Sequence, residues 1–242
     1  MANAQKTWLI VGASRGIGHE FVRQLLARGD RVYATIRGDT TSYFADQRHA
    51  CKAFHCDVTS EESISSFVSD LVTVNQRQAI DYVVLNAGVL RYPNRATELS
   101  FADFAFHLHT NTIGPIICAQ KLLNAGIPIG TLVFISSDSG SAQRFNEFED
   151  GFAAYAASKA ALNQALRHMA AELKRKGNTT TTVLAVHPGE VATDMANLDL
   201  GWDVVGQMSV EESVGACIGV VESKTPADSG SFWQWDGQRF PW

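Results

Sequence analysis

A tyrosine and a lysine four residues apart give this sequence its clearest chemical signal. Tyr155 and Lys159 lie in a stretch, residues 153–176, whose pattern predicts a long helix, so both side chains share one helix face. A phenol has an ordinary pKa of about 10, and a neighbouring ammonium favours the phenolate, which would move the hydroxyl toward the range of neutral-pH proton transfer. The pair predicts general acid–base chemistry, although the same spacing also occurs on solvated helix faces.

A glycine-rich turn, residues 12–18, follows the first predicted strand and opens the first predicted helix. It reads Gly12-Ala13-Ser14-Arg15-Gly16-Ile17-Gly18. Glycines at such a turn let the backbone approach a pyrophosphate, which then lies among the free N–H groups of the helix N-terminus. The turn predicts a dinucleotide site, and the alternative is a turn with a purely structural role.

Strands and helices alternate along the whole chain. The predicted strands are residues 8–11, 31–36, 52–56, 80–85, 131–136, 180–186 and 231–235, and the predicted helices are residues 16–28, 60–74, 100–123, 153–176 and 210–221. Ser60 is the expected N-cap of the second helix. Apolar strands separated by helices predict a parallel sheet covered on both faces, and right-handed crossovers make it doubly wound. No linker, repeat or low-complexity tract interrupts residues 1–242, so we expect a single α/β domain.

Short motifs stand at the ends of the predicted strands. They are Asp57-Val58, Asn86-Ala87-Gly88, Ser136-Ser137-Asp138-Ser139-Gly140 and Pro188-Gly189-Glu190-Val191-Ala192-Thr193. Together with the glycine turn and the Tyr-x-x-x-Lys element, this order of motifs resembles the short-chain dehydrogenase/reductase family over the whole chain. Residues 187–195 and 240–242 are similar to its C-factor-like and small carbonyl-reductase branch. The resemblance implies a Rossmann-type sheet of about seven strands.

The resemblance also implies catalytic roles. Tyr155 would be the general acid/base, Lys159 would in addition bridge to the cofactor ribose, Ser137 would hold the substrate oxygen, and Asn111 would fix a water chain behind the lysine. Ser136 and Ser139 are the local alternatives to Ser137, and the alignment of Ser-x-x-Gly onto residues 137–140 favours Ser137.

Two departures from the family pattern stand out. Val11 replaces the threonine of many relatives. The interval from Ser137 to Tyr155 is longer than usual, and the extra segment, residues 143–149, is expected at the active-site rim.

The predicted cofactor is NADP(H). An NAD enzyme places an acidic side chain at the end of the second strand, whereas this chain has Ile36 there, followed by Arg37, with Arg15 in the glycine turn. Guanidinium groups suit a 2′-phosphate, although both arginines could be solvated surface residues. The predicted cofactor-binding residues are Gly12, Ser14, Arg15, Gly16, Ile17, Gly18, Arg37, Asp57, Val58, Asn86, Ala87, Gly88, Tyr155, Lys159, Pro188, Gly189, Val191 and Thr193.

These residues predict an NADPH-dependent oxidoreductase that interconverts a ketone or aldehyde and an alcohol. Two alternatives stay open: an epimerase or dehydratase of the same fold, and a non-catalytic dinucleotide-binding sensor or signalling protein. A complete Asn-Ser-Tyr-Lys set disfavours the sensor. The expected partner is a small, moderately hydrophobic carbonyl or alcohol substrate.

Composition and charge exclude other classes of partner. The 242 residues carry a net charge of −5, and the longest basic run is Lys174-Arg175-Lys176, which argues against nucleic acid or an anionic membrane. Cys51, Cys56, Cys118 and Cys217 lack zinc-site spacing, so we expect reduced thiols and no metal. Without a secretory signal or an apolar run of about 18 residues, we expect a soluble cytoplasmic protein. The resemblance implies a homodimer or homotetramer, or a monomer as in some carbonyl reductases.

Three loops are expected to shape the substrate pocket: residues 90–95, 141–152 and 195–208. Residues 194–207 are expected to form a mobile lid, because Met195, Leu198, Leu200 and Trp202 have no evident element to bury them and Gly201 and Gly206 could flex. A short helix packed permanently on the sheet edge is the alternative. His107, His109 and His187 are expected to be structural, and Glu190 to be exposed.

Overall fold

One parallel sheet organises the molecule. The computed structural model describes residues 4–47, 49–147, 149–197 and 206–242. Within these ranges seven strands pair in the order β3-β2-β1-β4-β5-β6-β7, all parallel. Their bounds are β1 Thr7–Val11, β2 Arg31–Ile36, β3 Cys51–His55, β4 Ile80–Leu85, β5 Ile129–Ile135, β6 Thr182–His187 and β7 Ser231–Gln234. The prediction of a doubly wound Rossmann-type sheet is confirmed.

Helices cover both faces of this sheet. Their bounds are α1 Gly16–Ala27, α2 Glu61–Asn75, α3 Phe101–Leu108, α4 Gly114–Asn124, α5 Ala153–Arg175 and α6 Val210–Ser223. Because side chains alternate along a strand, Leu9 and Val11 of β1 enter the core cluster that also contains residues of α2, α4 and α5. Trp8 and Ile10 enter the other cluster, with residues of α1 and α6. Both sheet faces are therefore buried, which explains why the strands are apolar throughout.

The helix predicted over residues 100–123 is interrupted. A π-helical turn, His109–Ile113, separates α3 from α4. The turn is held by α5: Thr112 Oγ1 donates to Ser158 O at 2.7 Å, and Asn111 Nδ2 donates to Ser158 Oγ at 3.0 Å. A π turn inserts one extra backbone residue, and such turns are frequent at functional sites. Contacts with a distant helix stabilise it, so local periodicity could not predict it.

Two further expectations concern the helices and the cysteines. Ser60 caps α2 by accepting a hydrogen bond from Ser63 N at 3.1 Å, as predicted. All four cysteines are buried and free. Among the described helices, none combines the length and the apolar character needed to cross a bilayer.

Candidate active site

A cavity of about 1170 Å³ opens at the carboxyl ends of the central strands. This is where a doubly wound sheet forms its ligand crevice, because the strand order reverses between β1 and β4. The predicted residues that line it are Gly12, Ser14, Arg15, Gly16, Ile17, Arg37, Asp57, Val58, Asn86, Ala87, Gly88, Tyr155, Lys159, Pro188 and Thr193. The predicted residues outside its lining are Gly18, Gly189, Val191, Ser137 and Asn111.

The glycine turn is packed directly against the Asn-Ala-Gly motif. Gly12 has φ +88°, and a Cβ on it would lie 2.6 Å from the Cα of Ala87. Asn86 Nδ2 donates to Gly12 O at 2.7 Å, and Gly12 N donates to Thr35 Oγ1 at 3.0 Å. Gly18, predicted to bind cofactor, is buried behind the turn against Gly12 O and Asn86. Thr35, which the sequence analysis missed, therefore helps to fix the cradle.

The start of α1 is suited to an anion. Its first turn contains no acidic residue, and no side chain caps its N-terminus, so the turn leaves backbone N–H groups free. A pyrophosphate fits here: the turn has no Cβ at Gly12 or Gly16, and the cavity is large enough for a dinucleotide with a small substrate.

Two exposed arginines stand at the far end of the cavity. Arg15 Nη1 lies 3.6 Å from Asp194 Oδ2, a partner that the sequence analysis did not anticipate. Arg37 lies near Asp57. The pKa of Asp57 is held below its ordinary value mainly by the hydrogen bond from Thr59 N, and to a smaller extent by the charge of Arg37. The two guanidinium groups predicted to suit a 2′-phosphate therefore both border the cavity.

Tyr155 and Lys159 share one face of α5, as predicted. Lys159 Nζ lies 5.7 Å from the centroid of the Tyr155 ring and donates a hydrogen bond to Ile135 O at 2.8 Å. The Ser137 hydroxyl donates to Asp138 Oδ1 at 3.0 Å, and it is close enough to Tyr155 to oppose the rise in the pKa of the phenol. Ser136 is turned away and donates to Asn163 Oδ1 at 2.6 Å. Of these two neighbouring serines, Ser137 is the one placed beside the phenol.

The pKa of Tyr155 shifts in the opposite direction to our expectation. Burial raises it above the ordinary value, the hydrogen bond from Ser137 opposes this, and the charges of Asp138, Glu190 and Glu149 raise it further. The expected lowering is not seen, because burial outweighs any effect of the Lys159 ammonium, whose Nζ donates to Ile135 O. The phenol thus stays protonated at neutral pH.

The pKa of Lys159 is also shifted by its surroundings. Its side chain is 4% exposed, and burial lowers its pKa to about 8. A lysine with this pKa still carries its charge at neutral pH but loses it under mildly alkaline conditions.

Asn111 lies in the π turn and is fully buried. Its Oδ1 accepts from Val89 N at 2.8 Å, and its Nδ2 donates to Val89 O at 2.9 Å and to Ser158 Oγ. A Cβ on Gly88 would lie 3.4 Å from Asn111 Oδ1 and 3.7 Å from Lys159 Nζ, so both side chains border this glycine. The predicted water chain stays a prediction.

Three carboxylates act electrostatically on the Tyr155 hydroxyl. Asp138 follows β5, Glu149 belongs to the rim segment, and Glu190 follows β6. Desolvation, together with repulsion from Asp138 and Glu149, raises the pKa of Glu190 to about 7, although its side chain is exposed as predicted. Burial and the charge of Asp138 likewise raise the pKa of Glu149. The sequence analysis did not foresee this convergence, because the three residues meet only through the tertiary fold.

His187 is buried, and its expected structural role stays a prediction. Its Nδ1 accepts a hydrogen bond from Asp138 N at 3.2 Å, and burial lowers its pKa, so the ring is neutral. Ligand atoms of Asp138, His187 and Glu190 lie within 4.8 Å of one another. The absence of a metal stays a prediction.

The rim around the cavity is described in part. Asp194, Met195, Ala196, Asn197 and Gln207 line it. The predicted lid residues Leu198, Leu200, Gly201 and Trp202 lie outside the described residues. Phe106 and Thr110 also line the cavity and were missed, Thr110 because it belongs to the π turn.

Comparison with known proteins identifies the family of this chain. The family model described as short chain dehydrogenase matches residues 6–201. The chain belongs to this family. An uncharacterized oxidoreductase of Saccharomyces cerevisiae is 33% identical over 251 residues, which cover 96% of this chain and 95% of the yeast protein. The C-signal protein of Myxococcus xanthus is 31% identical over 166 residues, 67% of this chain and 93% of that protein.

A solved short chain dehydrogenase structure shares the fold over almost the whole chain. The NADPH-bound carbonyl reductase from chicken fatty liver superimposes with a TM-score of 0.87 and 27% identity, covering 98% of this chain and 99% of that chain. As a short chain dehydrogenase, this protein is an oxidoreductase of a family that binds a nicotinamide dinucleotide. The cavity and its glycine turn fit that cofactor.

Proposed function

We propose that this short chain dehydrogenase uses NADPH to reduce a ketone or aldehyde to an alcohol, and catalyses the reverse oxidation. The observation that carries the proposal is the half-buried Tyr155 phenol, whose raised pKa keeps it protonated near the Ser137 hydroxyl. A protonated phenol donates a proton, which is what a carbonyl oxygen needs during reduction. The NADPH-bound carbonyl reductase from chicken fatty liver, similar over nearly the whole chain, supports the same reading.

The proposed roles follow from the positions of the side chains. Hydride transfer to the carbonyl carbon is the chemistry that the cofactor supplies. Ser137 donates a hydrogen bond to the carbonyl oxygen, and Tyr155 transfers its hydroxyl proton to that oxygen as negative charge develops there. The Lys159 ammonium stabilises the phenolate that remains, and Asn111 fixes Val89 and Ser158 around the lysine.

The cofactor preference rests on the end of β2. Ile36 is 5% exposed and offers no carboxylate to a ribose 2′-hydroxyl, whereas Arg37 beside it is exposed to the cavity. We assign Arg37 and Arg15 to the 2′-phosphate of NADP(H), where the phosphate would compete with Asp194 for the Arg15 guanidinium. A small-molecule carbonyl and this cofactor are the proposed partners.

The charge around the reacting end limits the substrate. Asp138, Glu149 and Glu190 all act electrostatically on the Tyr155 hydroxyl. A substrate with a carboxylate next to its carbonyl would be repelled, so we propose a neutral or cationic carbonyl compound.

A non-catalytic dinucleotide-binding protein is the second candidate, and the observation that favours it is the 31% identical C-signal protein. The test is NADPH consumption with a panel of neutral aldehydes and ketones, amino ketones and keto acids, with NADH in parallel. We expect turnover of neutral or amino carbonyl compounds with NADPH. Tight NADPH binding without turnover of any carbonyl would support the second candidate instead.

A further inference from the structure

The catalytic helix α5 does not cap its own N-terminus. The residue before it, Phe152, has no capping side chain, although the first N–H groups of a helix need an acceptor. The acceptor comes from a residue about sixty positions earlier. Asn94 Oδ1 accepts hydrogen bonds from Ala154 N at 2.6 Å and from Tyr155 N at 3.2 Å. One side-chain oxygen therefore binds the backbone of the reacting tyrosine.

The other polar groups of Asn94 are also engaged. Its Nδ2 donates to Arg91 O, and its N donates to Gly151 O at 2.7 Å. The residue is 3% exposed, so water cannot substitute for these partners. This differs from an ordinary surface cap, whose loss water compensates in part.

The loop that carries Asn94 contacts both the π turn and the residue that precedes α5. At residue 89 it is bound through its backbone N and O to Asn111 in the π turn. The ring of Tyr92 in this loop lies 5.3 Å from the Phe152 ring, and the Phe152 ring lies 6.5 Å from the Tyr155 ring, both measured between centroids. The loop thus spans from the π turn to the start of α5.

We propose that Asn94 is a positioning residue that holds the start of α5, and with it the Tyr155 hydroxyl, in register with Ser137. The inference rests on the proposed function. A neutral amide suits this place: an aspartate would accept the same N–H groups, but its charge would disfavour the phenolate of Tyr155.

The test compares four variants with the wild type, using whichever carbonyl compound the wild type reduces. Asn94→Ala removes the acceptor, and Asn94→Asp keeps it while adding a charge. Glu98→Gln is the matched control, because Glu98 is an exposed residue close to the same loop that pairs with Arg95 at 3.7 Å without contacting the helix amides. Tyr155→Phe reports separately on the proposed function. The measurements are kcat, KM, the Kd for NADPH, the melting temperature and the pH–rate profile of reduction.

We expect kcat of Asn94→Ala to fall about 10- to 100-fold, since small misplacements of a reacting group have effects of this size. The Kd for NADPH and the kcat of Glu98→Gln should stay within about threefold of the wild type, because neither depends on that misplaced hydroxyl. Asn94→Asp should recover most of kcat at its own optimum, with the alkaline limb of reduction displaced to higher pH, because the added negative charge raises the pKa of the Lys159 ammonium as well as that of the phenol.

A purely structural role would lower the melting temperature of Asn94→Ala and leave kcat within threefold of wild type, which would overturn the inference. Should Asn94→Ala fail to fold, Asn94→Asp decides: a pH profile that superimposes on the wild-type profile overturns the inference as well. If Tyr155→Phe retains turnover, the proposed function has failed instead, whatever Asn94 does.

Discussion

Burial of Lys159 makes its charge sensitive to mildly alkaline pH. The folded-state pKa is lowered to about 8, so the ammonium that would stabilise the Tyr155 phenolate is lost as pH rises through that value. We expect kcat/KM for reduction to be steady near neutral pH and to decline above about pH 8. The pH dependence of kcat/KM reports the ionisations of the free enzyme and is the measurement to make. A profile that stays flat to pH 10 would show that the charge of Lys159 does not matter.

The cofactor preference is also decided by single residues. Replacing Ile36 by Asp and Arg37 by Ala supplies an acceptor for a ribose 2′-hydroxyl and removes a partner of the 2′-phosphate. We expect the Kd for NADPH to rise about 10- to 100-fold, the size of a lost charge-assisted hydrogen bond, and the preference to change to NADH. Arg31→Ala, an exposed arginine at the opposite end of β2, is the control. Equal use of NADH and NADPH by the unmodified protein would contradict the assignment.

For individual residues, the sequence predicted which side chains lie together but not the direction in which their pKa values shift. Tyr155 and Lys159 share a helix face because of their spacing alone. The direction of the Tyr155 pKa shift depends on burial and on carboxylates from other parts of the chain, which spacing does not reveal. Asn94 carried no local signal, because its acceptor role requires a helix about sixty residues away.

Among the elements, the turn between β1 and α1 is closely packed against the Asn-Ala-Gly motif. Gly12→Ala should weaken NADPH binding at least about tenfold, because a Cβ would lie 2.6 Å from the Cα of Ala87, so the cradle would have to move. Gly29→Ala is the matched control: Gly29 also has a left-handed φ, +84°, but a Cβ there meets nothing within 4 Å.

Both glycine variants should lose about 1–2 kcal/mol of unfolding free energy from the left-handed backbone. Only Gly12→Ala should lose NADPH affinity. Urea unfolding and fluorescence titration with NADPH measure the two effects, and wild-type affinity in Gly12→Ala would refute the close packing of the turn.

The elements themselves were predicted well where their causes are local. β2 and β4 have the predicted bounds, and α2 starts at its predicted serine cap. The π turn at His109–Ile113 was missed, because it depends on hydrogen bonds from Asn111 and Thr112 to α5.

For the whole molecule, the fold brings carboxylates from three segments close enough to Tyr155 to raise the pKa of its phenol. Glu190 has a pKa of about 7, so it is largely charged at pH 8 and largely neutral at pH 6. We expect the KM of a carbonyl substrate that bears a carboxylate to fall as pH is lowered across this range. In Glu190→Gln that KM should already be lower at pH 8, by about fivefold, the effect of about 1 kcal/mol between charges near water.

Glu147→Gln is the control for this experiment, because Glu147 is an exposed carboxylate of the same rim and does not appear among the groups that shift Tyr155. Asp138 and Glu149 face the same region and remain in both variants. A KM for the carboxylated substrate that is independent of pH and unchanged in Glu190→Gln would contradict the proposed charge selection.

The central claim is that the Tyr155 hydroxyl transfers the proton during NADPH-dependent carbonyl reduction. The most direct measurement is kcat of Tyr155→Phe together with its Kd for NADPH, because the change removes one oxygen and keeps the ring. We predict that kcat falls about 10²–10⁴-fold, the usual contribution of a general acid, while the Kd for NADPH stays close to wild type. Turnover within tenfold of the wild type, with cofactor binding intact, would contradict the claim.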